Sequence, residues 1–134
     1  MASYGERNEC RLFIVFYAFL IFFCLKEYLM PRKKIYKCES DYQADLIKTI
    51  KKDLGEDNLD ILKNDADYRQ GIPDLLIIYK DRHAYLEAKI SETAPHRPNQ
   101  DFYIEKAKRN SFGAFIYPEN QDQVLADMYA YLTH

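Results

Sequence analysis

Residues 70–91 read QGIPDLLIIYKDRHAYLEAKIS, two apolar runs that meet at Lys80 and Asp81 and carry Asp74, Glu87 and Lys89. Leu75 to Tyr79 is unbroken apolar sequence, as expected of a strand covered on both faces. Beyond it Ala84, Leu86, Ala88 and Ile90 alternate with Tyr85, Glu87 and Lys89, the period of a second strand. A turn at Asp81 and Arg82 joins the two into a hairpin. With Tyr79 paired to Ala84, Asp74 falls opposite Lys89 and Glu87 becomes its diagonal neighbour. Side chains so related share a face and lie about 5–8 Å apart.

Convergence of these three residues has a chemical meaning. Two carboxylates on one patch repel and lose hydration, so they favour a cation between them, and hard oxygen ligands suit Mg²⁺, with Mn²⁺ as substitute. A lysine beside them can position or deprotonate a water, and a metal lowers that water's pKa and offsets charge on a phosphate. This is equipment for metal-assisted phosphodiester hydrolysis.

The flanking sequence supplies the rest of an α/β domain. Ser40 and Gln43 have the spacing of a capping box, and the helix they open carries Leu46, Ile47, Ile50 and Leu54 on one stripe before Gly55 ends it. Leu59 to Lys63 alternates as a short strand, and residues 64–73 form a polar turn region. After the hairpin and the loop SETAPHRPN, Pro98 starts a helix running to Asn110. GAFIY (113–117) is a last strand, and 120–132 a final helix with Val124, Leu125, Met128 and Leu132 inward. The expected order is αβββαβα around a small mixed sheet. Stepping back along the first helical stripe gives Gln43 and Glu39, and the second helix places Gln100 in line with Tyr103, Ile104 and Ala107. Glutamines on core-facing stripes need polar partners, and both are expected to find them at the carboxylate patch, Gln43 alternatively as the capping-box partner of Ser40.

The whole chain sets the frame. Its 134 residues accommodate one domain, and a net charge of -2 lacks the strongly basic footprint of many nucleic-acid binders. Cys10, Cys24 and Cys38 form no C-x-x-C pair and suit free thiols in a reducing, cytoplasmic compartment. Residues 1–29 differ from the remainder: Leu12 to Leu25 is uninterrupted apolar sequence of 14 residues, short of the roughly 20 that span a bilayer. The favoured reading is an extension outside the working domain, with translation starting at Met30 and the domain occupying 30–134. A membrane or partner anchor through residues 12–25, giving a membrane-associated protein, and a helix packed on the core are the alternatives.

Taken in order, ESDYQ, GIPDL, LEAK, PNQ and GAFIY resemble the virus-type replication-repair nuclease (VRR-NUC) branch of the PD-(D/E)xK nuclease superfamily, from about Glu39 to about Leu132. The resemblance implies a restriction-endonuclease-like core that cuts DNA, often branched at junctions or flaps in replication, repair or recombination. Small stand-alone members of phage or bacterial origin are often homodimers. It implies Asp74, Glu87 and the backbone carbonyl of Ala88 as Mg²⁺ ligands and Lys89 as the catalytic lysine. Glu39 would orient a metal-bound water, with Gln43 and Gln100 in support. Arg97 in the HRPN loop, Lys106 and Arg109 are the expected phosphate contacts, since local basic clusters can bind DNA on an acidic chain. His83 and His96 read as turn and loop residues, and Tyr85 as packing. The alternative function is a non-catalytic nucleic-acid-binding or membrane-tethered partner protein with the same fold.

Overall fold

The computed structural model describes Tyr17, Leu20, Ile21, residues 34–65, Asp67 and residues 69–134. The apolar segment at 12–25, apart from those three helical residues, and the start at Met30 lie outside the described residues. Among the described residues, no helix is long and apolar enough to cross a membrane.

Among the described residues from 34 onward, three helices and four strands follow one another as α1 (Glu39–Leu54), β1 (Leu59–Lys63), β2 (Leu75–Tyr79), β3 (Arg82–Ala88), α2 (Gln100–Asn110), β4 (Phe112–Ile116) and α3 (Gln121–Thr133). The expected αβββαβα order is therefore observed. The sheet runs β1-β2-β3-β4, antiparallel across the first two pairs and parallel between β3 and β4. Parallel strands need a crossover, and α2 supplies it.

Side-chain alternation divides the sheet into two faces. Leu75, Ile77, Ala84, Leu86, Ala88 and Ile116 point to one face, where they bury against Tyr42, Leu46 and Ile50 of α1 and Leu125, Met128 and Leu132 of α3. Each fully buried large side chain in this layer contributes about 1.5–3 kcal/mol, so this face holds the main core. The opposite face carries Leu76, Ile78, His83, Tyr85 and Glu87, and α2 covers it only over β3 and β4. Helix α2 approaches closely because β4 has Gly113 there: a Cβ would sit 2.7 Å from the Ala107 Cβ and 3.0 Å from the Ile104 carbonyl oxygen. Leu76 and Ile78 remain half-buried, so β2 is covered on one face and partly open on the other. The apolar run alone had implied cover on both.

Two local expectations are corrected. The β2–β3 loop has two residues, Lys80 and Asp81, and Tyr79 pairs with Arg82 instead of Ala84. The tight turn is possible because Lys80 takes φ 54°, with its N–H donated to the Asn58 carbonyl at 3.0 Å. Helix α1 begins at Glu39 with Cys38 at its N-cap and no side-chain cap, so Ser40 and Gln43 form no capping box. Glu39 thereby enters the first helical turn.

Tyr42 is fully buried, yet its hydroxyl finds no hydrogen-bond partner among the described residues. An unsatisfied buried hydroxyl carries a desolvation penalty of about 1–3 kcal/mol. Tyr42→Phe is expected to stabilise the protein by about 1 kcal/mol, read as a rise in melting temperature; an unchanged or lower value would show that the hydroxyl is satisfied.

Candidate active site

The β2–β3 register continues one residue past β2, which sets Asp74 directly across from Glu87. Lys89 is not the partner of Asp74, as the sequence had implied, but lies just past the end of β3. A two-residue shift in register keeps every side chain on its face, so the expected patch survives with its members redistributed. Asp74 donates its backbone N–H to Glu87 Oε2 at 3.2 Å, and Asp74 Oδ2 accepts the Ala88 N–H at 3.0 Å. Lys89 is held by its own N–H, donated to the Ile116 carbonyl of β4 at 2.8 Å. Its Nζ lies 3.4 Å from Glu87 Oε1 and 3.9 Å from Glu39 Oε1.

These groups meet at a polar cleft of about 490 Å³ at one end of the sheet, where the N-termini of α1 and α2 come together. Glu39 and Gln43 enter from α1, Asp74 and Glu87 from the hairpin, and Arg97 and Gln100 from the start of α2. Gln100 is buried and its amide holds both sides: Nε2 donates to Glu87 Oε1 while Oε1 accepts the Arg97 N–H at 2.7 Å. The expectation that a stripe glutamine reaches the carboxylates is thus met. Lys89 is only 3% exposed and reaches Glu87 without itself lining the cleft. Lys106 and Arg109 are not brought to this cleft. Lys106 lines a separate one, and Arg109, in the last turn of α2, lies about 13 Å along the helix from Gln100.

Sequence reading missed Lys63, Asn64 and Asp65, which also line the cleft. Asn64 staples the turn that presents Asp74: its N–H donates to the Asp74 carbonyl at 2.8 Å and its Nδ2 to the Pro73 carbonyl at 2.6 Å. Their only signal was position, immediately after a strand that pairs with β2. Gly71 completes the turn. It takes φ 91°, and a Cβ there would lie 2.7 Å from the Asn99 Cβ, so only glycine lets this loop pack on the start of α2.

Burial and like charge shape the electrostatics. The Glu87 carboxyl is pushed up to about 7, first by desolvation and then by the Asp74 charge, with the Lys89 ammonium and the Asp74 N–H acting the other way. Asp74 is also raised, chiefly by burial, although the Ala88 N–H opposes the shift. Two desolvated carboxylates held upward in this way gain from a bound cation.

Among the described residues no group of three or more His, Cys, Asp or Glu side chains is arranged to hold a metal ion. The facing carboxylates in the cleft are Asp74 and Glu87, with Glu39 and Asp65 elsewhere on its lining. Such a set fits Mg²⁺, which keeps several waters and commonly takes one or two carboxylates together with substrate phosphates.

The raised Glu87 carboxyl has a signed consequence for stability without metal. Between its ordinary 4.5 and about 7 the unfolded chain releases this proton while the folded chain keeps it. Its contribution is therefore fully present below about 4.5 and lost as pH rises to about 7. In chelator, the wild-type melting temperature is expected to fall across that window relative to Glu87→Gln, which cannot ionise. Parallel profiles for the two proteins would show that Glu87 does not titrate there.

Comparison with protein-family models, with curated proteins and with solved structures finds no match to this chain.

Proposed function

We propose that the chain is a metal-dependent endonuclease that hydrolyses DNA phosphodiester bonds, with a restriction-endonuclease-like core of the VRR-NUC type. One observation carries the reading: Asp74 and Glu87 face each other at the end of the β2–β3 pair beside a polar cleft, with Glu87 buried and the Lys89 ammonium against it. The motif resemblance described above supports it, and the α/β topology is compatible with it.

In this reading Asp74, Glu87 and the Ala88 carbonyl would hold Mg²⁺ or Mn²⁺. Bound there, the cation would supply positive charge for the developing phosphorane and lower the pKa of a bound water. Lys89, already between Glu87 and Glu39, would hold the attacking water and share the phosphate's negative charge. Glu39 would orient that water from the first turn of α1. Gln100 restrains the Glu87 carboxylate and, through the Arg97 backbone, the loop at the cleft mouth. Arg97 would contact a backbone phosphate, a bond that positions the strand without reading its sequence. The expected substrate is structured or branched DNA, since the domain has little room for a separate recognition module.

The test is cleavage of labelled four-way-junction, flap, duplex and single-stranded DNA by the full chain with Mg²⁺, Mn²⁺ or chelator. Metal-dependent cutting is expected, and Lys89→Ala and Asp74→Ala should each lower it by about 100-fold or more while DNA binding persists. Undiminished cutting by these variants would overturn the assigned site. A folded protein that binds DNA but never cuts would replace this reading with that of a non-catalytic binding protein.

A further inference from the structure

A second cleft, of about 260 Å³, lies between β3, α2 and the turn before β2, and the proposed chemistry uses none of it. Pro73, His83, Tyr85, Tyr103, Lys106 and Asn110 line it. It is the next row on the same sheet face as the first. Tyr85 is two residues before Glu87 on β3, a step of about 6.6 Å, and Tyr103 is three residues after Gln100 on α2, a step of about 4.5 Å. Pro73, in the shared wall, is bonded directly to Asp74. A chain molecule with its phosphate at Asp74 and Glu87 therefore has the second cleft within one monomer's reach.

The chemistry of the two clefts differs. The first contains Glu39, Asp65, Asp74 and Glu87, whereas no carboxylate lines the second. There the half-buried Tyr85 and Tyr103 share the lining with His83 and Lys106. The Arg69 guanidinium lies over the Tyr103 ring, 5.6 Å from its centroid, and His83 meets Tyr85 edge-on at 5.6 Å. No hydrogen bond engages the Tyr85 or Tyr103 hydroxyl or the Asn110 amide among the described residues. Ile72, Pro73 and Ala107 give the cleft an apolar wall, and Phe102 meets Tyr103 edge-on at 5.3 Å. Within that wall the cleft offers aromatic surface, free polar atoms for the edge of a planar heterocycle, and cations for the phosphates on either side. Aromatic platforms flanked by positive charge are how proteins hold unstacked bases of single strands.

We propose that this cleft holds one unpaired nucleobase of the strand whose phosphodiester lies at Asp74 and Glu87. Resting on the nuclease reading, it narrows the substrate class: the strand cut carries an unstacked nucleotide next to the scissile bond, as at a flap base, a bulge or a junction. A fully paired duplex would first have to give up a stacked base.

Binding without metal tests this separately from catalysis. Fluorescence anisotropy of the full chain in chelator compares a duplex bearing one unpaired nucleotide with the same duplex carrying an abasic residue there. The intact base is expected to bind about tenfold tighter. Tyr103→Ala should erase that difference by weakening only the base-containing duplex, and Tyr103→Phe should restore it. Lys106→Ala is expected to weaken both duplexes alike and to flatten the salt dependence. Equal affinity for the two duplexes, or Tyr103→Ala weakening both equally while Tyr103→Phe does the same, would overturn the proposal. Adding Mg²⁺ afterwards reads the other question: base-dependent binding without cutting keeps this cleft's role and rejects the nuclease.

Discussion

Asp74 and Glu87 face each other across an antiparallel strand pair, and burial denies them the water that would screen their charges. Two unit charges about 5 Å apart at an effective dielectric of about 20 repel by about 3 kcal/mol, more than a typical hydrogen bond returns. The surrounding structure is organised around that conflict. The Asp74 and Ala88 N–H groups, the Gln100 amide and the Lys89 ammonium all donate toward the pair. The N-termini of α1 and α2 also open onto the cleft, and such ends favour negative charge. These donors do not bring Glu87 back to the ordinary range.

Topology is what allows so many donors to reach one point. The parallel β3–β4 pair sends the chain through α2, so that the start of this helix returns to the end of β3, beside Glu87. Helix α1 lies on the opposite face and contributes Glu39 and Gln43 at the same end of the sheet. Two glycines make the approach close enough: Gly113 beneath α2, and Gly71 where the Pro73–Asp74 turn meets Asn99. The segment ahead of α1 is secured as well. The Tyr36 hydroxyl donates to Asp45 at 2.7 Å and its ring packs on Tyr42, which anchors the chain just before Glu39.

The divided use of the sheet's second face follows from the same arrangement. Helix α2 crosses over β3 and β4 and leaves β2 partly open, so a row of side chains from Glu87 through Tyr85 to His83 is flanked by helix on one side only. Acidic groups lie at one end of that row and aromatic and basic groups at the other. In the proposed reading, a nucleic-acid strand with alternating phosphates and flat bases would use the acidic end for its phosphate and the aromatic end for a base.

Local pattern was enough to show the elements, because apolar periodicity and the turn residues Gly55, Asp81 and Pro98 are written in short windows of chain. It also placed Asp74, Glu87 and Lys89 on one face, since side-chain direction in a strand depends only on odd or even position. Which carboxylate faces which was not available from that pattern. The hairpin register turned on whether Lys80 would adopt a left-handed φ, a choice stabilised by its bond to Asn58 in the turn just before β1. Nor could local pattern distinguish Gln43 as a helix cap from Gln43 as a cleft residue, or reveal that Lys63, Asn64, Tyr85 and Tyr103 line clefts beside the carboxylates. Those facts depend on how α2 folds back over the sheet, and contacts between segments far apart in sequence are decided only when the tertiary structure brings them together.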